Sequence, residues 1–315
     1  MDSIPLDTGV AVIIVNWNDA ADTVACLDSL VGSCYPPRRV YVVDNASDDG
    51  SLDIIRGAHP EAEIIAAPRN LGYAAGFNLG RQRALAAGVA FLWLLNNDAI
   101  VEPCALAHLV EAALRHGPGI YSPLITSADA SDSVWYAGGS LDWRLKSYHM
   151  RHAAGPDSDG GVRTIAWATG CALFCSTEVA RRVGPMDERY FLYLEDVDWC
   201  LTARAAGIPT RYVPAARIWH GVSRSVRRLD PGHLRYYAWR NYYLLVQRHG
   251  CWWQRMYGRA NLAARFVKIG IRSALVASAR RDPLYRARTR GLVDYALGRF
   301  GPAGPARRPE GVAAK

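Results

Sequence analysis

The sequence predicts an α/β protein with a mostly parallel central sheet flanked by helices and a C-terminal helical extension. Three observations carry this reading. Continuous apolar runs of strand length recur through the first hundred residues, each followed by a stretch with helical spacing. Runs that are apolar at every position are strands buried on both faces, as in a parallel sheet covered by helices. From Pro231 onward, long helical patterns replace the alternation. Charge divides at about the same place. Residues 1–220 hold 17 basic and 25 acidic side chains, whereas residues 221–315 hold 20 and 4.

In order, VAVIIVN (10–16) is the first strand and Asp19 to Val31 the first helix, with Val24, Leu27, Leu30 and Val31 on one face. VYVVDN (40–45) is the second strand, and Ser47 to Gly57 a short helix opened by a capping signal. EIIAAP (63–68) and FLWLLN (91–96) are the third and fourth strands, separated by a helix over Gly72 to Gly88. Pro103 to His116 is a helix with proline near its first turn. Between 118 and 175, the glycine pairs Gly138-Gly139 and Gly160-Gly161, with Trp135, Tyr136, Trp143 and Tyr148, predict strands and a loop insertion. Short helices follow over Thr177 to Val183 and Val197 to Ala206, then long ones over 231–248, about 252–280 and about 282–299.

The 315 residues, half of them apolar and only 21 % charged, suffice for a real core and exclude global disorder. Seven scattered cysteines with no CxxC pair suggest neither a disulfide framework nor a zinc site, and a reducing, cytoplasmic setting is expected. The N-terminus has no basic region or cleavage site, so no secretory leader is expected. No apolar run approaches the roughly 20 residues that span a bilayer.

Ligands of parallel sheets sit at the carboxyl ends of the strands. The residues there are Asn16-Trp17-Asn18, Asp44-Asn45, Arg69-Asn70 and Asn96-Asn97-Asp98, polar at every strand end. Each admits two readings. Asp44 in VVDNASDDGS can accept from a base N–H or a ribose hydroxyl, or the segment is simply a turn in which Ser47 or Asp48 caps the next helix. RNLGYAAGFNLG (69–80) can bring backbone close to a ligand, or its small residues serve helix packing; it is not a GxGxxG fingerprint. Asp98 can offer oxygen to a hard cation, with a neutral oxygen from Asn96, or it ends a strand in a turn. His220 is either a ligand or a structural histidine.

The stretch YFLYLEDVDWC (190–200) places Glu195, Asp196 and Asp198 beside Tyr190, Phe191, Tyr193 and Trp199. Desolvation and repulsion oppose ionisation there, which suits a general base with a raised pKa. Acidic residues in a first helical turn also suit the macrodipole. That accounts for two carboxylates, but not for the aromatic residues before them.

Taken in order, VIIVNWN, VVDNASDDGS, RNLGYAAGFNLG, LLNNDA, TGCALF (169–174), MDERYFLYLEDVDWCLTARAAG (186–207), Trp219-His220 and RNYYLL (240–245) resemble the family 2 glycosyltransferases. These are inverting enzymes of the GT-A fold, and the likeness is to the bacterial rhamnosyltransferase-like branch that builds cell-surface polysaccharides. It covers about residues 10–250. It implies a GT-A nucleotide-sugar domain over 8–225; charge and composition add a basic helical region over 226–300 and a Pro/Gly/Ala-rich tail, expected to be disordered, over 301–315. By the resemblance, Asn16, Asn18 and Asp44 line the nucleotide pocket, and Asn70, Gly72, Asn78 and Asn97 lie against the nucleotide-sugar. Asp98 takes the last place of a DxD-like motif, with Asn96 where many relatives carry Asp. His220 completes the ligands of Mg²⁺ or Mn²⁺. Asp196 is the catalytic base, supported by Glu195 and Asp198.

The implied partners are a nucleoside-diphosphate sugar and a saccharide or lipid-linked acceptor. The basic third, with Trp252, Trp253, Leu262, Phe266, Ile269, Ile271 and Leu275 among arginines, reads as an interfacial helix on an anionic membrane surface or as ordinary helix packing. The expected location is cytoplasmic, peripheral on the inner face of the cytoplasmic membrane. Rival readings fit less well. A nucleotidyltransferase needs a Gly-rich loop after the first strand, where this chain has NWND. A processive synthase needs a QxxRW motif and membrane spans. A basic nucleic-acid-binding protein would leave the rim motifs without a purpose, and no nucleic acid is expected.

Overall fold

The computed structural model describes residues 9–128, 133–142, 147–150, 161–221, 231–276, 278 and 281–303. Gly160 and the tail beyond residue 303 lie outside them. The chain divides into two compact units. One comprises residues 1–187 and 195–228; the other joins residues 188–194 to 229–315.

The first unit is built on a ten-stranded sheet. β1 (Val10–Asn16), β2 (Arg39–Asp44), β3 (Glu63–Ala66) and β4 (Phe91–Asn96) are the four expected strands. They pair in parallel in the order β4-β1-β2-β3. β6 (Ile120–Ser127), β11 (Ala172–Ser176), β12 (Thr210–His220) and β10 (Arg163–Ile165) extend the sheet beyond β4. β11 runs antiparallel between β4 and β6, so this half is mixed rather than parallel. β5 (Ala99–Val101) and β7 (Val134–Tyr136) attach to β12 and β6. β8 (Gly139–Asp142) and β9 (Ser147–Met150) form a separate hairpin.

Every β1 residue is buried, as its unbroken apolar run requires. The helices are α1 (Ala20–Val31), α2 (Ser51–Ala58), α3 (Tyr73–Ala86), α4 (Ala105–His116), α5 (Thr177–Val183) and α6 (Glu195–Ala205). α3 lies so close to β1 that a Cβ on Gly80 would stand 2.3 Å from Ile13 Cγ2, and one on Gly76 2.9 Å from Val15 Cγ1. The packing reading of that glycine-rich stretch therefore holds for Gly76 and Gly80. Gly72, by contrast, has φ +84°, which a side chain disfavours.

Two local expectations fail. The helix expected from Ser47 starts only at Ser51, after Gly50 at φ +81°. Ser47 is not a cap, because its hydroxyl is used within the rim loops described below. Cys34 and Cys104, expected to be unpaired, form a disulfide across a sequence separation of 70. The α1–β2 loop and the start of α4 bring them together, which spacing alone does not reveal. One bond between two exposed cysteines is no framework, and the other five cysteines are free.

The second unit contains α7 (Pro231–His249), α8 (Trp252–Leu275) and α9 (Pro283–Ala296). α9 meets α7 at Gly291, where a Cβ would lie 2.4 Å from the Tyr236 carbonyl, and Tyr236 donates to Asp294 at 2.8 Å. Residues 188–194 are held by α7. Arg240, wholly buried, donates to the carbonyls of Arg189 (3.0 Å) and Tyr190 (2.8 Å). Asn241, also wholly buried, donates to those of Tyr190, Leu192 and Tyr193 at 2.8–2.9 Å. Those bonds fix a backbone in which Phe191, Tyr193 and Leu194 all have φ between 63° and 72°. Non-glycine residues hold that conformation only where surroundings over-determine it. Phe191 stacks on Tyr237 with centroids 5.4 Å apart, and Tyr190 is wholly buried.

Candidate active site

The four parallel strands end abreast. Asn16 pairs with Asp44, Val15 with Asn96, and Asp44 with Ala66. The loops at this rim are braced by their own polar side chains. Asp44 accepts from Asn16 Nδ2 (2.9 Å), Ser47 Oγ (2.6 Å) and the Ser47 amide (3.1 Å). Asn18 exchanges hydrogen bonds with Asp48, both at 2.8 Å, and its own amide donates to Ser47. Thr23 donates to Asn16 Oδ1 (2.8 Å) and receives Asn97 Nδ2 (3.3 Å). Asn45 locks the next loop, accepting from Leu71 N and donating to Asn70 Oδ1 and the Gly72 carbonyl. Asn16, Asp44 and Asn45 are thus buried braces, and Trp17 stands 42 % exposed between Asn16 and Asn18. Asn78 reads both backbone groups of Met186 at 2.9 Å, so its amide anchors the segment before α6.

A second group of residues comes from further apart in the chain. β5 pairs with β12 in a register that sets Ala99 beside His220, so Asp98 arrives next to the imidazole. His220 Nε2 lies 3.0 Å from Asp98 Oδ1 and 3.4 Å from Asn96 Nδ2, and both His220 and Asp98 are buried. Trp135 covers the ring at 4.5 Å. Burial opposes a proton on His220, but Cys171 and Asp98 outweigh it and lift the imidazole to about 10.

Tyr73, in the first turn of α3, connects this corner to the acidic stretch. Its hydroxyl lies 2.9 Å from Asn96 Oδ1 and 2.7 Å from the Gly170 carbonyl. From the same residue, the Gly170 amide donates to Asp196 Oδ2 at 2.8 Å. Asp196 also accepts from the Val197 amide at 2.7 Å.

α6 starts at Glu195, so all three carboxylates stand in its first turn, where the helix dipole favours negative charge. Their environments differ. Glu195 is buried, its Oε2 makes no hydrogen bond, and burial followed by the charge of Asp196 pushes it well above the usual carboxylate range. Asp196 is only partly buried. Burial raises it too, but the Gly170 and Val197 amides favour its charged form. Of the two adjacent carboxyls, Glu195 is thus pushed further towards its protonated form, while Asp196 keeps amide donors that favour its charge. Asp198 is buried on the same helix. Trp199 is core, edge-on to Phe77 at 6.0 Å, with its indole donating to the Gly184 carbonyl.

The site can therefore hold a charged, partly open carboxylate at one end and a carboxylate–imidazole pair at the other. Among the described residues no three His, Cys, Asp or Glu side chains gather as a metal cage. Asp98 supplies one oxygen, and His220 one nitrogen once its ring proton is displaced. That fits a divalent cation whose remaining positions come from a ligand's phosphates and water. The sequence reading placed Asn45 at the rim and took Ser47 only as a helix cap; it missed Thr23, Tyr73 and Gly170. Thr23 lies inside α1 with no polar signal of its own, and Tyr73 and Gly170 gain their role from neighbours far away in the chain.

Comparison with known proteins bears on the family and the fold. The chain matches the family described as glycosyltransferase-like family 2 over residues 7–238. An N-acetylglucosaminyl-diphospho-decaprenol L-rhamnosyltransferase of Mycobacterium tuberculosis is 29 % identical over 297 residues, 86 % of this chain and 95 % of that one. A dTDP-rhamnosyl transferase of Shigella flexneri is 23 % identical over 78 % of this chain and 82 % of its own length. In fold, the chain is similar to a mannosyltransferase of Pyrobaculum calidifontis solved with GDP-Man and Mn²⁺. There the TM-score is 0.54 and the identity 17 %, over 92 % of this chain and 86 % of that one. GalNAc-T7, solved with UDP, GalNAc and Mn²⁺, gives a TM-score of 0.59 at 17 % identity over 76 % of this chain, which spans about half (48 %) of that protein.

Proposed function

Because the chain belongs to glycosyltransferase-like family 2, we propose that it transfers rhamnose from a nucleoside-diphosphate sugar to a saccharide or lipid-linked acceptor in cell-surface polysaccharide synthesis. The reaction is a single displacement with inversion. The acceptor hydroxyl oxygen bonds to the anomeric carbon as the bond from that carbon to the diphosphate breaks. The nucleoside diphosphate leaves with the electron pair, and the hydroxyl proton passes to Asp196. The two rhamnosyltransferase relatives support the choice of sugar. The decaprenol-linked acceptor in the first one's name supports a lipid-linked acceptor.

The observation that carries this reading is the division of labour between Glu195 and Asp196. A base must be charged and reachable. Asp196 keeps open surface and has amide donors on its charged form, while burial pushes Glu195 beside it towards the protonated form. Asp98 and His220 would hold Mg²⁺ or Mn²⁺, with Asn96 alongside. When bound, the cation would neutralise charge gathering on the departing diphosphate. Asn16, Asn18 and Asp44 shape the nucleotide end of the rim. Asn70, Gly72 and Asn97 shape the sugar end, and Asn78 holds the Met186 segment behind it. Tyr73 keeps the cation corner and the base at a fixed separation. Residues 8–225 form the transferase domain and 226–300 the region that meets acceptor or membrane, on the cytoplasmic side.

The deciding experiment measures nucleoside diphosphate release from dTDP-, UDP- and GDP-sugars with Mg²⁺, Mn²⁺ or EDTA. Cation-dependent release from dTDP-rhamnose, lost in Asp196→Asn, is expected. Equal turnover by that variant would remove Asp196 from the mechanism, and preference for another donor would replace rhamnose.

A further inference from the structure

α8 is 24 residues long, yet Gly258 is its only buried residue. It contains five basic residues, Arg255, Arg259, Arg265, Lys268 and Arg272, and no acidic one. Its two sides differ. Gln254, Gly258, Asn261, Leu262, Arg265, Ile269 and Ser273 follow helical spacing and are buried or half-buried. On that side a Cβ on Gly258 would lie 3.2 Å from Val246, and Tyr243 donates to Asn261 at 2.9 Å, so it packs within the helical unit.

The other side is apolar and uncovered. Trp252, Trp253, Met256, Val267, Ile271 and Leu275 are each 45–78 % exposed. At 100° per residue they share an arc of about 140°. The other positions on that arc are tyrosine, alanine or glycine, all exposed, and no charged residue interrupts it. Leu262, Phe266 and Ile269, grouped with the exposed residues in the sequence reading, are half-buried. Exposed Arg259 borders one edge of the arc; exposed Lys268 and Arg272 border the other.

We propose that this face of α8 seats in the headgroup–acyl boundary of an anionic lipid bilayer, with the helix lying along the surface. An uninterrupted apolar arc fringed by cations, with tryptophan at one end, is complementary to such a boundary. Basic side chains at its edges reach lipid phosphates while their stems cover apolar surface. No helix among the described residues is long and apolar enough to cross a membrane, so this helix lies on the bilayer and does not span it. A second copy of the chain fits worse, because two such faces would bring like charges together with no carboxylate on either helix to match them. Nucleic acid offers phosphates to the edges but nothing to the apolar centre. The inference rests on the proposed function for its purpose, delivery to a lipid-linked acceptor. It does not rest on it for its geometry, and binding is measured without catalysis.

Full-length protein is floated with vesicles of phosphatidylglycerol and phosphatidylcholine, and with phosphatidylcholine alone. The wild type is expected to float with the anionic vesicles, more weakly at high salt, and to shift its tryptophan emission to the blue. The double variant Trp252→Glu/Ile271→Glu changes only exposed positions, so its melting temperature should match the wild type while vesicle binding falls about tenfold or more. Arg259→Glu/Lys268→Glu should lose a similar factor on anionic vesicles only. Undiminished flotation of Trp252→Glu/Ile271→Glu, or no flotation of the wild type, overturns the proposal. A wild-type dimer in sedimentation that this variant dissociates, without vesicle binding, would assign the face to a second copy. Donor hydrolysis in solution should be equal in wild type and variants, so failure of membrane binding and failure of the proposed activity are read separately.

Discussion

Asp196 Oδ2 accepts the Gly170 amide hydrogen at 2.8 Å, and Tyr73 reaches the carbonyl of that same glycine. A single residue thus ties the carboxylate to the corner holding Asn96, Asp98 and His220. Asparagine at 196 can still accept from Gly170 through its amide oxygen, but it cannot take a proton. We expect Asp196→Asn to lose about 10²-fold or more in turnover with nucleotide affinity retained, measured as diphosphate release beside calorimetric nucleotide binding. Loss of nucleotide binding together with turnover would point to a damaged fold.

The pH dependence has a definite sign. Asp196 works only when charged, and burial raises it above its ordinary 3.8. The rate should therefore fall as pH falls through a value above 3.8. Glu195 is pushed up further, so in the folded protein it keeps a proton that the unfolded chain releases above about 4.5. Stability should then decline as pH rises from the unfolded value towards the folded one. Glu195→Gln copies the protonated form, so we expect it to raise the melting temperature more at pH 8 than at pH 5. It should also lose far less activity than Asp196→Asn. An equal melting gain at both values would contradict the assignment of the proton to Glu195.

Tyr73→Phe removes the hydroxyl between Asn96 and Gly170 without removing the ring. Leaving buried partners unsatisfied costs about 1–3 kcal/mol. A fall in kcat larger than the change in donor KM is expected, because a loosened base and cation corner affect the transfer step more than donor binding. Steady-state kinetics with one donor separates the two.

Asp98→Asn keeps shape and removes charge from the cation pair. We expect Mn²⁺ affinity, measured by calorimetry in the presence of nucleoside diphosphate, to fall at least about tenfold. Unchanged affinity would place the cation elsewhere.

Asn241→Ala would leave the carbonyls of Leu192 and Tyr193 without their Asn241 donor in a backbone already held in the left-handed region. A loss of about 2–3 kcal/mol is expected from two backbone carbonyls losing a buried donor. Denaturant unfolding would show it, and transfer activity should fall with it.

The parallel half of the sheet was legible because β1 and β4, and β2 after Arg39, run apolar up to a polar last residue. The strand termini then named the rim directly. β12 was not legible, because Pro214 and the arginines at 211 and 217 break its apolar pattern. Its pairing with β5, on which the Asp98–His220 contact depends, spans more than a hundred residues. Asn16 and Asp44 were identified as site residues, but their use as braces follows from Ser47, which looks like a helix cap from sequence alone. The bend at 191–194 has no glycine to signal it; Arg240 and Asn241, some fifty residues later, make it tenable.

That bend also has a consequence for recombining this enzyme with its relatives. Residues 188–194 belong to the helical unit, although they interrupt the other unit and run directly into Glu195 and Asp196. A chimera exchanging only residues after 228 would give the loop ahead of the base a foreign α7, and with it a mismatched clamp. The portable module is discontinuous, and grafts that carry 188–194 along with the C-terminal helices should be the ones that keep their chemistry.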